Sequence, residues 1–243
     1  AILNGYPRKS RKNFDRTGVG HPHNFFSDFL RRYLPDATVE TWFVADPDQD
    51  VPAGAGLADY AGFIWTGSDL TIYQEDDPRV TRQIELARRI YAVGVPSCGS
   101  CWGIQMAAVA AGGAVAQHPR GREWCIARDI RLTDAGRRSP MMAGKPERFD
   151  GFIMHLDEVT QLPPGATLLA TGDHTRVQAL EVCHGKGTFW ATQYHPEFNL
   201  KEMARLIAAR ATPLTQEGFF ETEEGVAAFA DQLEALYNDP GSI

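Results

Sequence analysis

The sequence has few cysteines, no long apolar run and no excess of positive charge, and each absence excludes a class of protein. No apolar stretch approaches the ~20 residues that a membrane-spanning helix needs. The first ten residues lack the pattern of a secretory signal. Four cysteines in 243 residues are too few for a disulfide scaffold, so we expect a reduced, cytoplasmic protein. A net charge of −7 argues against nucleic acid and anionic membranes as partners.

The apolar fraction of 43% and the charged fraction of 23% are those of a globular protein. The length fits one α/β domain over residues 1–243, with a C-terminal helical segment at about 199–243. Strands alternate with helices in the first half, which predicts an open, mostly parallel sheet with helices on both faces. Short strands separated by turns in the second half predict an antiparallel addition to that sheet.

Hydrophobic periodicity and turn residues divide the chain into short elements. We expect helices over residues 23–34, 78–91, 102–112, 198–210 and 223–237. We expect strands over residues 2–5, 38–45, 60–66, 91–97, 125–132, 152–159, 166–170, 177–182 and 188–193. Residues 7–22 contain five basic side chains and are predicted to form a polar loop.

The segment Gly99-Ser100-Cys101-Trp102-Gly103 has the composition of a turn that exposes one nucleophile. It follows the predicted strand 91–97 and precedes the predicted helix 102–112. Glycine is expected two residues before and after Cys101, because a Cβ at either place would clash with the neighbouring strand or the turn. The N-terminus of a helix also favours a thiolate at Cys101.

The same segment supports a second interpretation. Cys98-Gly99-Ser100-Cys101 is also a C-x-x-C sequence, the spacing of a redox pair or of half a zinc site. A zinc site would need two further ligands at matching spacing, whereas Cys125 and Cys183 are isolated.

Among seven histidines, His195 is the best placed to serve as a base for Cys101. Pro196 biases His195 towards an extended conformation, in which His195 and Glu197 project to the same side. A carboxylate beside the imidazole can fix its tautomer. Cys101, His195 and Glu197 therefore have the residue types of a nucleophile, a base and an orienting group. The simpler alternative is a loop histidine followed by a first-turn carboxylate of the next helix.

Together these motifs resemble the class I (triad-type) glutamine amidotransferase family. The likeness runs roughly from Tyr60 to Glu197 and is nearest to stand-alone proteins related to the glutaminase domain of GMP synthase. The segments that carry it are Gly94-Val95-Pro96, Gly99-Ser100-Cys101-Trp102-Gly103-Ile104-Gln105, Tyr194-His195-Pro196-Glu197, Ile64-Trp65-Thr66-Gly67-Ser68, Gly112-Gly113-Ala114-Val115 and Gly121-Arg122-Glu123. The resemblance implies a flavodoxin-like α/β sheet and hydrolysis of a γ-carboxamide through a thioester, with no cofactor or metal.

By this resemblance Cys101 attacks the amide carbon, and His195 protonates the departing ammonia and then activates water. Glu197 would hold the ring of His195. The oxyanion would lie between two backbone N–H groups, those of Gly67 and Trp102. A glycine suits position 67 because the backbone must approach the reacting carbonyl closely.

Three further residues are tentative substrate contacts. Gln105 is one helical turn past the nucleophile, and a structural role that ties the helix to a loop is an equal alternative. Glu123 could receive a substrate ammonium group or form a surface ion pair. His155 could lie at the rim of the active site or anchor a loop. Cys125 departs from the family pattern, because it stands where the Gly-Arg-Glu segment usually ends in glycine.

The partners expected are glutamine or a γ-glutamyl amide and, if ammonia is delivered onward, a separate synthase subunit, because no ATP-binding segment is evident. A free hydrolase of γ-glutamyl compounds would need no partner. Two alternatives of other classes stay open at this point. One is a redox-active protein that uses Cys98 and Cys101, and the other is a catalytically silent regulatory or binding protein of the same fold.

Overall fold

The computed structural model describes residues 1–52 and 54–241. The chain divides into two compact units. The first consists of Ala1–Arg8 and Pro22–Pro196, and the second of Lys9–His21 and the residues from Glu197 onward. The first unit contains the sheet, whereas the second is helical. The assignment of residues 1–243 to one domain stays a prediction.

The helices of the described chain are α1 (Arg8–Thr17), α2 (Pro22–Tyr33), α3 (Gly54–Leu57), α4 (Pro78–Val93), α5 (Trp102–Ala110), α6 (Asp134–Arg138), α7 (Leu200–Ala208), α8 (Ala211–Gln216) and α9 (Glu223–Asn238). The strands are β1 (Ile2–Leu3), β2 (Thr41–Trp42), β3 (Phe63–Trp65), β4 (Ser97–Ser100), β5 (Ala114–Gln117), β6 (Glu123–Leu132), β7 (Arg148–His155), β8 (Asp157–Gln161), β9 (Ala166–Thr171), β10 (Ala179–His184) and β11 (Gly187–Thr192).

The main sheet of the described chain has the strand order β2-β1-β3-β4-β11-β10-β9-β6-β7. From β2 to β11 neighbouring strands run parallel. From β11 to β7 they run antiparallel. A separate two-stranded sheet pairs β5 with β8. The predicted α/β class, with a parallel half and an antiparallel addition, is confirmed.

Three local predictions are wrong. Residues 152–159, expected to form one strand, are divided between β7 of the main sheet and β8 of the two-stranded sheet. Residues 8–17, expected in a loop, form α1, so its basic side chains lie on a helix. The apolar run 91–97 is not a strand, because α4 continues to Val93 and ends at Gly94 with φ 85°. The strand follows as β4. An apolar run of this length satisfies a buried helix as well as a buried strand, so its composition alone does not decide between them.

The parallel half of the sheet packs into a large apolar core. Its fully buried side chains include Trp65, Trp102, Ile104, Leu180 and Phe189. A second cluster lies under the antiparallel half. Within the described residues, the helices are too short or too polar for any of them to cross a membrane.

Candidate active site

Cys101 lies in a sharp turn between β4 and α5. Its backbone has φ 54° and ψ −97°, a left-handed region that favours glycine. The Cys101 N–H donates to the Thr192 carbonyl at 2.7 Å, which ties the turn to the end of β11. A non-glycine residue in such a conformation is strained and is commonly found at functional sites.

The glycines on either side of the turn are not equivalent. A Cβ on Gly99 would lie 2.8 Å from both the Cβ and the carbonyl oxygen of Trp65, so Gly99 is required as predicted. A Cβ on Gly103 would meet Trp65 at 3.4 Å, an ordinary contact distance. The expected clash at Gly103 is therefore wrong, because the helix carries this residue far enough from β3 to leave room for a methyl group.

The thiol of Cys101 is nearly enclosed, with the residue 6% exposed. Its Sγ lies 3.8 Å from the carbonyl oxygen of Met154 on β7. Cys101 also precedes the first turn of α5, where unpaired N–H groups and the helix dipole stabilise negative charge. These surroundings limit the access of water to the thiol and place it at the positive end of the helix dipole.

His195 follows β11 as Cys101 follows β4. The two strands are parallel neighbours, with Thr192 paired to Ser100, so both residues emerge at the carboxyl ends of adjacent strands. Ligands bind at this edge in open α/β sheets. His195 is 2% exposed, and its backbone N–H donates to the Phe152 carbonyl at 2.7 Å.

Gly67 lies directly beside the imidazole of His195. A Cβ on Gly67 would be 3.3 Å from His195 Cε1 and 3.0 Å from the Tyr6 hydroxyl. The Gly67 carbonyl accepts a hydrogen bond from the buried Thr66 hydroxyl at 2.9 Å. A trans peptide directs its two polar groups oppositely, so this bond turns the Ser68 N–H away from Thr66. Tyr6 was not singled out by the sequence, because no motif marks it. Ser68 ends the segment Ile64–Ser68 that resembles the family, but no role of its own was predicted for it.

Trp102 is the first residue of α5, so its backbone N–H has no partner within the helix. Its indole is 1% exposed and donates to Gln83 Oε1 at 3.0 Å. Gln105 is also buried, and its amide donates to the Asp157 carbonyl at 3.3 Å. This hydrogen bond ties α5 to the start of β8.

Glu123 and His155 lie opposite each other on β6 and β7. Glu123 Oε2 lies 3.1 Å from His155 Nε2, and the other ring nitrogen of His155 lies 2.9 Å from the Asp157 carbonyl oxygen. Burial opposes ionisation of Glu123, but the hydrogen bond and charge of His155, with smaller effects of Thr175 and His174, hold the pKa of Glu123 below its ordinary value.

Glu197, the predicted orienting carboxylate, belongs to the second unit and follows His195 by two residues in the sequence. The structure thus brings Gly67 together with His195, sets Cys101 and His195 on adjacent strands, and joins Glu123 to His155. The last pairing was missed from the sequence, because it depends on the register of two antiparallel strands.

All four cysteines, each within the described residues, are free. Burial raises the pKa of Cys98 to about 11, which keeps this residue a neutral thiol near pH 7. Within residues 1–52 and 54–241, no group of three or more histidine, cysteine, aspartate or glutamate side chains is arranged to hold a metal ion.

Comparisons with known proteins identify the family of this chain. A model of the glutamine amidotransferase class-I family matches residues 74–212, more than half of the chain. A γ-glutamyl-L-1-hydroxyisopropylamide hydrolase from Pseudomonas sp. is 37% identical over 226 residues, which cover 91% of this chain and 75% of that protein. A glutamine-hydrolyzing GMP synthase from Leifsonia xyli subsp. xyli is 28% identical over 189 residues, which cover 75% of this chain and 34% of the synthase.

The chain therefore spans about a third of the length of that GMP synthase. Among solved structures, a glutamine amidotransferase from Thermotoga maritima has a TM-score of 0.71 at 19% identity, covering 97% of this chain and 91% of that one. The chain belongs to the class I glutamine amidotransferase family. The predicted family and the predicted class of enzyme, glutamine amidotransferase or γ-glutamyl hydrolase, are confirmed.

Proposed function

We propose that this protein hydrolyses γ-glutamyl amides, releasing an amine, through a thioester on Cys101. The observation that carries the proposal is the strained, enclosed Cys101 at the N-terminus of α5, one strand away from His195. A thiol in this setting is activated for attack on a carbonyl.

In the proposed mechanism, the Cys101 thiolate attacks the γ-carbonyl carbon while His195 carries the proton. His195 gives that proton to the departing nitrogen, so the C–N bond breaks and a γ-glutamyl thioester remains. His195 then takes a proton from water, which attacks the thioester and releases the free carboxylate. Glu197 is the proposed orienting group for the imidazole, as in other nucleophile–base–acid triads.

Negative charge on the carbonyl oxygen in both tetrahedral intermediates is proposed to be stabilised by backbone N–H groups. One donor is the Trp102 N–H, which has no partner within α5. The second is the Gly67 N–H, supported by the closeness of Gly67 to His195. The Ser68 N–H, which points away from Thr66, is proposed as a further donor in the same loop. Loss of one such donor typically lowers the rate about 10²–10³-fold.

The proposed substrate class is supported by the Pseudomonas hydrolase, whose name specifies a γ-glutamyl amide. Glu123 is the proposed acceptor for the substrate α-ammonium group. His155 is proposed to shape this side of the site rather than to contact substrate, because both of its ring nitrogens contact protein groups. Gln105 stays a proposed substrate contact, because its amide nitrogen donates to the Asp157 carbonyl whereas its buried Oε1 has no hydrogen-bond partner among the described residues. The free cysteines support a reduced, cytoplasmic location.

A second candidate is a glutaminase that passes ammonia to a separate synthase subunit, supported by the similarity to a GMP synthase. Steady-state kinetics of the isolated protein separate the two candidates. A free hydrolase gives a higher kcat/KM for a γ-glutamyl alkylamide than for glutamine. The opposite preference would favour the glutaminase, and turnover of neither compound would contradict both.

The nucleophile is tested by Cys101→Ala with Cys98→Ala as its matched control. We expect the first substitution to lower kcat/KM at least about a thousandfold, because no other group can form the thioester. The second should stay within about threefold of wild type. Acid quenching followed by mass spectrometry should find the γ-glutamyl group on the peptide that contains Cys101. Retained turnover in Cys101→Ala would end the assignment.

A further inference from the structure

A buried polar cluster lies beside the nucleophile and takes no part in the proton transfers described above. It consists of Glu123 and His155 with three neighbours from residues 174–178. His155 directly follows Met154, whose carbonyl oxygen is 3.8 Å from Cys101 Sγ. The His155 side chain is 2% exposed and that of Glu123 is 12% exposed. A carboxylate with this little access to water needs a compensating charge.

The geometry identifies His155 as that charge. Its Nδ1 lies 2.9 Å from the Asp157 carbonyl oxygen, and its Nε2 lies 3.1 Å from Glu123 Oε2 and 3.3 Å from the Thr175 hydroxyl, so each nitrogen faces an acceptor. A neutral ring carries one N–H only and would set a lone pair against one of them. A doubly protonated ring would donate to both, and its contact with Glu123 would then be a charge-assisted hydrogen bond.

Three contacts of the Glu123 carboxylate involve one oxygen, Oε2, and a further hydrogen bond joins the carboxylate to Thr175. Oε2 accepts from His155 at 3.1 Å and from the Gln178 amide at 3.5 Å, and it lies 3.6 Å from His174 Nδ1. The carboxylate is thus anchored chiefly through Oε2, which makes Oε1 the candidate oxygen for a cation.

We propose that His155 is a positioning residue, which fixes the Glu123 carboxylate through Oε2 so that Oε1 binds the α-ammonium group of a γ-glutamyl substrate. The inference rests on the proposed function, and it narrows the substrate class to γ-glutamyl compounds with a free α-amino group. His155 acts through Glu123 and does not touch the substrate.

The test compares a γ-glutamyl anilide with a glutaryl anilide, which has the same scissile bond but no α-ammonium group. We expect wild type to prefer the γ-glutamyl compound in kcat/KM. His155→Gln, which keeps a donor but loses the charge, should lower this preference about tenfold or more, mainly through KM. Glu123→Gln should lower it further. Turnover of the glutaryl compound should change less than threefold, and the same substitution at the exposed His184 should change neither.

A purely structural role for His155 would slow both anilides equally and would overturn the inference. So would an unchanged preference in His155→Gln. If wild type hydrolyses neither anilide, both the proposed function and the inference that rests on it are wrong. If wild type hydrolyses both anilides and His155→Gln leaves the preference for the γ-glutamyl anilide unchanged, the inference alone is wrong.

The pH profile supplies a second readout. In wild type His155 and its neighbours hold the pKa of Glu123 low against burial, so the carboxylate stays ionised into the acid range. Without the cation, burial dominates and the pKa of Glu123 rises. The preference for the γ-glutamyl anilide should therefore be lost at a higher pH in His155→Gln than in wild type. Coincident profiles would contradict the proposal.

Discussion

Three non-glycine residues of the described chain have positive φ angles: Cys101 at 54°, Cys125 at 66° and Asp129 at 55°. The strain at Cys101 accompanies the turn that presents the thiol. Asp129 lies where the pairing of β6 with β7 shifts register, and its N–H donates to Asp150. Cys125 lies two residues after Glu123 and stands where the family pattern has glycine. Its backbone thus keeps a glycine-like conformation with a side chain in place.

Because of this strain, we expect the usual order of stability of alanine and glycine variants in a strand to be reversed at position 125. Within a strand, alanine is normally more stabilising than glycine by roughly 0.5–1 kcal/mol. At a left-handed position an L side chain costs about 1–2 kcal/mol. We therefore expect Cys125→Gly to be more stable than Cys125→Ala by about 1 kcal/mol, measured as the free energy of unfolding in urea.

Ala127, on the same strand but outside the positive-φ set, provides the control. Ala127→Gly should lower the free energy of unfolding. At position 125, by contrast, the glycine variant should have a higher free energy of unfolding than the alanine variant. Equal signs at the two positions would show that strain at Cys125 carries no energetic weight.

At the scale of the elements, the sequence predicts what local signals specify. Helix α4 begins as expected at Pro78, where Asp77 accepts from the Arg79 N–H at 2.8 Å and caps the first turn. The helix after Cys101 is also found. Strands β1, β2 and β3 have only two or three residues, and their bounds depend on pairing with neighbours rather than on composition.

The site shows the same division. Cys101, His195 and Gly67 can each be picked out from local sequence. They belong to the glycine-flanked turn, the His-Pro dipeptide and the loop after β3, respectively. The proposed role of His155 cannot be inferred in this way, because it depends on Glu123, 32 residues earlier. The two residues meet only through the register of β6 and β7, which is shifted between Ala127 and Ile130. A bulge of this kind is set by tertiary packing, so the sequence names both residues without joining them.

The junction of β4 with α5 gives a prediction about its two glycines. Gly99→Ala should lower stability by about 3 kcal/mol and kcat/KM more than tenfold, because its Cβ would meet backbone and side-chain atoms of Trp65 at 2.8 Å. Gly103→Ala should be neutral or stabilising by up to about 1 kcal/mol, since alanine is the better helix former and the space is adequate. Thermal unfolding and steady-state kinetics of both variants provide the measurement. Similar losses of stability and of kcat/KM in the two variants would contradict the prediction.

For the whole molecule, burial of thiol and phenol groups sets the response to alkaline pH. Burial raises the pKa of Cys98 and Cys125 to about 11 and that of Tyr194 to about 12. The folded state therefore retains these protons over a range in which the unfolded chain loses them. The stabilising effect is complete below the unfolded pKa of each group and disappears as the pH rises through its folded pKa.

Cys98 allows this effect to be measured at one residue. Its thiol ionises near pH 9 in the unfolded chain and near 11 in the fold, so between these values it should reduce the free energy of unfolding by at most about 1.4 kcal/mol per pH unit. Cys98→Ala and Cys98→Ser both remove the titration, and both should make the decline of stability between pH 9 and pH 11 shallower by that slope. Urea unfolding at closely spaced pH values gives the slopes. If plots of the free energy of unfolding against pH are parallel to wild type for both variants, Cys98 does not contribute to the alkaline loss of stability. A constant difference in stability that is already present at pH 8 does not affect this conclusion.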